Sequence, residues 1–145
     1  MSQTVDTNVL LYAADSSSPR HEPAADLLAE LAGGPSLLHL FWPTLLGFVR
    51  IATHPAVFRR PLTHEEATEA VERLLARPNV QVAGEGERFW LSYRRAAEPV
   101  GPRGNLVPDA HLVALMHEHG VTTIWTHDRD FRKFDGITAR DPFAR

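Results

Sequence analysis

The sequence predicts an α/β fold: a central parallel sheet of four to five strands, flanked by helices on both faces. Three observations point there. Short apolar or β-branched runs alternate with longer segments of helical period. The segments between the runs are long enough to carry crossover helices, which parallel neighbours require. No repeat, low-complexity tract or long linker divides the 145 residues, which fit one domain, 1–145, with one continuous core.

Residues 3–5 form a short strand that runs into Asp6, and residues 7–14 (TNVLLYAA) read as a helix. Pro19 sits where a second helix can start. Ala24, Leu27, Leu28 and Leu31 recur at helical spacing until Gly33 and Gly34 stop it. Residues 36–40 suit a buried strand, and Pro43 opens a third helix to about Thr53. Thr63 followed by Glu66 has the spacing of a capping box and starts a helix over 64–76. Val80, Gln81 and Val82 alternate like a strand. A fifth helix covers 86–97 and is followed by a Gly/Pro loop, 99–105. Pro108 and Asp109 open a sixth helix that Gly120 closes. Residues 122–126 make a β-branched strand, 128–134 a short helix, and 137–138 a last strand.

Composition narrows the class. Apolar residues are 43% and charged residues 23%, the balance of an ordinary globule. No apolar run approaches the roughly 18 residues that span a bilayer, and the first residues lack the features of a secretory signal. Without cysteine, disulfides and thiolate metal sites are excluded. A cytoplasmic location, with no membrane association, is the plain expectation. The net charge of −3 does not suggest a surface that grips nucleic acid all over. All basic residues except Lys133 are arginine, which clamps phosphate well but is also favoured by GC-rich coding.

In a parallel α/β sheet the functional crevice lies beyond the carboxyl ends of the strands. Asp6 follows the first strand, Asp128 and Asp130 follow the strand 122–126, and Asp109 opens the sixth helix after the Gly/Pro loop. Asp is also a favoured N-cap, and Asp6, Asp109 and Asp128 each sit beside a helix start, so capping is the alternative reading of each. If they converge, one pair about 4 Å apart costs roughly 4 kcal/mol at an effective dielectric near 20. Such a cluster needs a cation between its members, or one member takes a proton. All-oxygen ligands favour a hard ion, Mg²⁺ or Mn²⁺, which can activate water and neutralise charge on a phosphodiester.

Several segments resemble the PIN-domain family and, within it, the VapC toxins of toxin–antitoxin pairs. Residues 6–13 (DTNVLLYA) are similar to the family's opening block, residues 105–115 (NLVPDAHLVAL) to its second, and residues 126–131 (THDRDF) to its third. Residues 42–58 also look like a VapC subfamily, and the ordered resemblance runs from residue 4 to about 140. It implies a single PIN-like domain with endoribonuclease activity, and Asp6, Asp109 and Asp128 as catalytic metal ligands. It implies Asp130 as an outer partner, a protein antitoxin that blocks the pocket, and a homodimer. One position departs from the family: Gly47 stands where most members carry Glu, and no acidic residue lies between Glu30 and Glu65. Either three aspartates suffice, or Asp26 or Asp130 takes part, or the centre is weakened to a module that binds RNA or a protein without cutting.

Secondary candidates follow. Asn8 and Thr126 could orient the carboxylates by hydrogen bonds, though either could simply cap a turn. Arg50, one turn past Gly47, could contact substrate phosphate or simply lie along the surface. Arg59, Arg60, Arg94, Arg95 and Arg103 could track a nucleic-acid backbone. His111, His117 and His119 lack the spacing of a zinc pair and are not expected as ligands. Trp42, Trp90 and Trp125 are expected in the core or an interface. A receiver-type phosphoacceptor would need a lysine after a late strand, and Lys133 is poorly placed for that.

Overall fold

The computed structural model describes residues 2–144, and among these a parallel five-stranded sheet alternates with six α-helices. In chain order they are β1 (Gln3–Val5), α1 (Thr7–Ala14), α2 (His21–Gly33), β2 (Leu38–Phe41), α3 (Trp42–Ala52) and α4 (His64–Leu75). Then come β3 (Val80–Ala83), α5 (Phe89–Ala97), α6 (Leu106–Glu118), β4 (Thr123–Trp125), a 3-10 helix (Arg129–Lys133) and β5 (Thr138–Arg140).

The sheet order is β3-β2-β1-β4-β5, with every pair parallel. Starting at β1, the chain builds outward through β2 to β3, then returns past β1 to add β4 and β5. Right-handed crossovers require helices of the outward run on one face and those of the return on the other. The two hydrophobic clusters follow that rule. One gathers Val5, Leu38 and Leu40 with side chains of α1 to α4, such as Leu10, Leu27, Leu45 and Ala67. The other gathers Phe41 and Ile124 with Ala96 of α5, α6 residues from Ala110 to Met116, and Phe131 and Phe134. Strand alternation assigns the sides: Val5 is opposite Trp125, and Leu40 is opposite Val82 on the first face; Ile124 is opposite Ala139, and Phe41 is opposite Ala83 on the second. Both faces of β1 and β2 are thus covered: Thr4 is as fully buried as Val5 on β1, and Leu38, Leu40 and Phe41 are buried on β2.

Element ends differ from the sequence expectation where side chains intervene. Helix α2 begins at His21, not at Pro19, which lies in a turn closed by the His21 amide donating to the Ser18 carbonyl at 3.1 Å, with the Arg20 amide donating to Ser18 Oγ. Strand β2 sits at 38–41 instead of 36–40 and passes directly into α3. Helix α5 starts at Phe89 instead of residue 86, since Gly86 is fixed in a turn by the Glu118 carboxylate, which accepts its N–H at 3.0 Å. Helix α6 starts earlier, at Leu106, with Pro108 inside its first turn, where a missing N–H costs nothing. The last strand runs 138–140 instead of 137–138. The expected capping box is present: Thr63 Oγ1 accepts the Glu66 N–H and Glu66 accepts the Thr63 N–H. Gly120, at φ +68°, ends α6 as expected. No helix among the described residues is long and apolar enough to cross a membrane.

Candidate metal centre

The chain reverses direction across the sheet between β1 and β4, and such a switch point opens a crevice at the carboxyl edge. Asp6 is the residue after β1. Its amide continues the ladder to the Trp125 carbonyl at 3.0 Å, which fixes its backbone against β4. It stands at the N-cap position of α1, yet its side chain makes no capping hydrogen bond. One carboxylate oxygen, Oδ2, instead accepts the buried Thr126 hydroxyl at 2.9 Å. The same hydroxyl oxygen accepts the Asp128 amide at 3.0 Å. Thr126 therefore ties the end of β1 to the turn after β4, the orienting role expected of it.

Asp128 does cap, through Oδ1, which accepts the Asp130 amide at 2.9 Å. The tight 3-10 turn that results swings Asp130 back toward Asp128. Carboxylate oxygens of Asp109, Asp128 and Asp130 all lie within 4.8 Å of one another. Asp130, expected as an outer partner, is thus a member of the closest trio, half exposed and paired with Lys133 at 3.1 Å. Asp6 lies outside that trio. It shares a cleft of about 120 Å³ with Asp109, walled by Thr44, Leu112 and Phe131. Asp109 is the common member of trio and cleft.

The electrostatics agree with a crowded centre. The Asp109 carboxyl is pushed up to about 7 by burial first, then by the charges of Asp128, Asp6 and Asp130, with Lys133 opposing. Asp6 is also raised, by burial above all. The Thr126 hydrogen bond and the amides of Asn8 and Thr7 pull it down, while Asp128 adds to the rise. At neutral pH and without a cation, Asp109 is the member that takes up a proton. An all-carboxylate set under mutual repulsion fits a hard divalent ion.

Other expected residues fall differently. Asn8 is exposed, and among the described residues its side chain makes no hydrogen bond; only its amide bears on Asp6. Arg50 is exposed on α3 and forms no ion pair among the described residues. Asp26 is exposed on α2 and outside the cluster. A Cβ built on Gly47 would lie 3.4 Å from Thr7 Oγ1, an ordinary contact, so this position packs against Thr7, which lines the cleft with Asp6. His111 was not expected there, yet it lines the cleft, with Nε2 bound to Glu85 Oε1 at 2.6 Å. Its two-residue offset from Asp109 was the available signal. Trp125 is half-buried and donates to Gln3, whereas Trp42 and Trp90 are exposed.

Comparison with known proteins gives a consistent picture. A family model described as PIN domain matches residues 4–137. The chain is 54% identical over 144 residues to ribonuclease VapC48 of Mycobacterium tuberculosis, covering 99% of each. It is 38% identical over 140 residues to ribonuclease VapC37 of the same species, covering 97% of this chain and 96% of that one. Among solved structures, VapC20 of M. tuberculosis, a sarcin-ricin loop cleaving toxin, superposes with a TM-score of 0.66 at 19% identity, covering 90% of this chain and 92% of that one. FitAcB of Neisseria gonorrhoeae gives 0.66 at 19% identity and covers 99% of each.

Proposed function

Because the chain belongs to the PIN-domain family and, within it, to the VapC ribonucleases, we propose that the pocket at the switch point is the centre of a metal-dependent endoribonuclease. The observation that carries this reading is the convergence of Asp109 with Asp128 and Asp130 on one side and with Asp6 on the other. Asp6, Asp109 and Asp128 would hold Mg²⁺ or Mn²⁺, and Asp130, a member of the closest carboxylate trio, would be a fourth candidate ligand. The ion, when bound, supplies activation of water and charge neutralisation at phosphorus. The chain's own residues prepare that chemistry. Thr126 fixes the Asp6 carboxylate and the Asp128 backbone together. Leu112 and Phe131 form a dry wall that strengthens charge interactions in the cleft. Asp109, protonated most readily of the set without a cation, would give up that proton as a ligand. Asp6→Asn should abolish metal-dependent cleavage of RNA with the circular dichroism unchanged; full cleavage by that variant sinks the reading.

One observation favours a second reading. Gly47 brings no carboxylate to a position that packs against Thr7, in the lining of the cleft. A weakened module that binds RNA or a protein partner without cutting would bind Mn²⁺ poorly in calorimetry and leave RNA intact. Measurable turnover excludes it.

The partners follow the family. A neighbour of similar fold is FitAB bound to a DNA fragment, and another is VapBC2 of Rickettsia felis bound to promoter DNA. For this chain, a toxin neutralised by a protein antitoxin is supported by an open apolar groove of about 200 Å³. It lies between α1, α2, α3 and α4 and is lined by Leu10, Leu28, Phe48, Val71 and Leu74. A homodimer is supported by Trp42 and Leu46, one turn apart on α3 and 45% and 63% exposed. A cytoplasmic location is consistent with an RNA substrate.

A further inference from the structure

Beside the acidic pocket lies a cationic cluster that the proposed chemistry does not use. The turn between α1 and α2 brings the Arg20 guanidinium to 5.0 Å from the Phe143 ring centre and 5.5 Å from that of Tyr12. Its Nη1 donates to the Tyr12 hydroxyl at 3.3 Å, and its Nη2 donates to His127 Nε2 at 3.2 Å. A guanidinium has no acceptor, so His127 Nε2 must accept, which leaves the ring proton on Nδ1. Nδ1 in turn donates to Asp141 Oδ2 at 2.9 Å. The Tyr12 and His127 rings both meet Phe143 edge-on, at 5.5 Å and 5.7 Å.

The consequence is a positive charge held in place with no carboxylate in direct contact; Asp141 acts on it only from beyond the histidine. Arg20 forms no ion pair among the described residues, because the nearby carboxylate of Asp141 is bound to the interposed histidine. Its backbone is held as well, the amide donating to Ser18 Oγ at 3.1 Å. Two of its five N–H groups are engaged by neutral partners, and the rest remain for a ligand. The free edge of a fixed guanidinium suits bidentate contact with a phosphate. The location fits. His127 stands between Thr126, which holds Asp6, and Asp128, while Tyr12 is six residues, about 9 Å of helix rise, from Asp6.

We propose that Arg20 is a phosphodiester-binding subsite for the RNA strand flanking the bond to be cut, with His127 and Asp141 as its positioning residues. This rests on the reading of the acidic pocket as a ribonuclease centre. The test separates the two. Binding of a fluorescent, mixed-sequence single-stranded RNA is measured across a salt series in chelator, using Asp109→Asn protein so that nothing is cut. Adding Arg20→Gln should weaken binding about tenfold at low salt and reduce the slope of log affinity against log salt by about 0.7. Arg20→Lys should keep the slope. In the otherwise native protein with Mn²⁺, Arg20→Gln should raise KM with kcat changed less than about twofold, since the contact binds substrate and transition state alike. His127→Phe, which keeps a ring but removes the acceptor, should raise KM about threefold in the same way. RNA binding that depends on Arg20 supports the subsite even if the native protein fails to cleave. Unchanged affinity and slope in Arg20→Gln, with only a lower Tm, overturn it and leave the ribonuclease reading standing.

Discussion

Asp109 couples the acidic centre to pH. Its carboxyl titrates near 7 in the fold against 3.8 for the free side chain, so between these values the folded protein binds more protons than the unfolded chain. The raised Asp6 acts in the same direction. Metal-free protein should therefore lose stability as pH rises from about 4 to 7. Asp109→Asn should flatten that part of the Tm-against-pH curve, and Mn²⁺ should raise Tm most above pH 7. A rising curve in metal-free protein would contradict the carboxylate crowding. Thr126 makes a second prediction at this scale. Thr126→Val removes the hydroxyl shared by Asp6 and the Asp128 amide and leaves both short of a partner, which should cost about 1–3 kcal/mol in urea unfolding. Asp6 and Asp128 were legible from their places just after strands, and Asp109 from the resemblance of the α6 start to the family's second block. The closeness of Asp130 was not, since it depends on a 3-10 turn nucleated by Asp128. Nor was the Arg20 cluster, whose members are brought together from both ends of the chain.

Helix α3 presents two faces with different tasks. Gly47 packs against Thr7 beside Asp6, where a Cβ would meet only ordinary contacts. Gly47→Glu should fold at least as well, since glycine costs a helix interior about 0.5–1 kcal/mol. It should also shift Mn²⁺ binding to lower concentration in calorimetry; unchanged or weaker binding would show that the added carboxylate does not reach the ion. Leu46 points outward, and Leu46→Glu should halve the mass seen by light scattering if α3 forms the homodimer. At this scale the sequence was readable where a local signal decides: Thr63 with Glu66 starts α4 as its spacing demands. It misled where a side chain elsewhere overrides the local signal. Pro19 lies in a turn that Ser18 closes through its carbonyl and its hydroxyl, and residues 86–88 stay out of α5 because Glu118, from α6, claims the Gly86 amide.

Across the whole molecule, the alternation of strand and helix was enough to give a parallel sheet with both faces covered. The strand order was not available from it, because that order rests on which strands pair, and β1 pairs with β2 and β4 alike. Leu40, fully buried on β2, reports on this core: Leu40→Ala should cost about 2–5 kcal/mol by removing a side chain from the first cluster. The hydrogen bond from Thr126 to Asp6 joins residues 120 positions apart. A ribosome making this protein must therefore translate past Thr126 before the two halves of the acidic pocket can meet. A nascent chain short of that point carries its aspartates apart, and the pocket exists only once β4 has folded against β1.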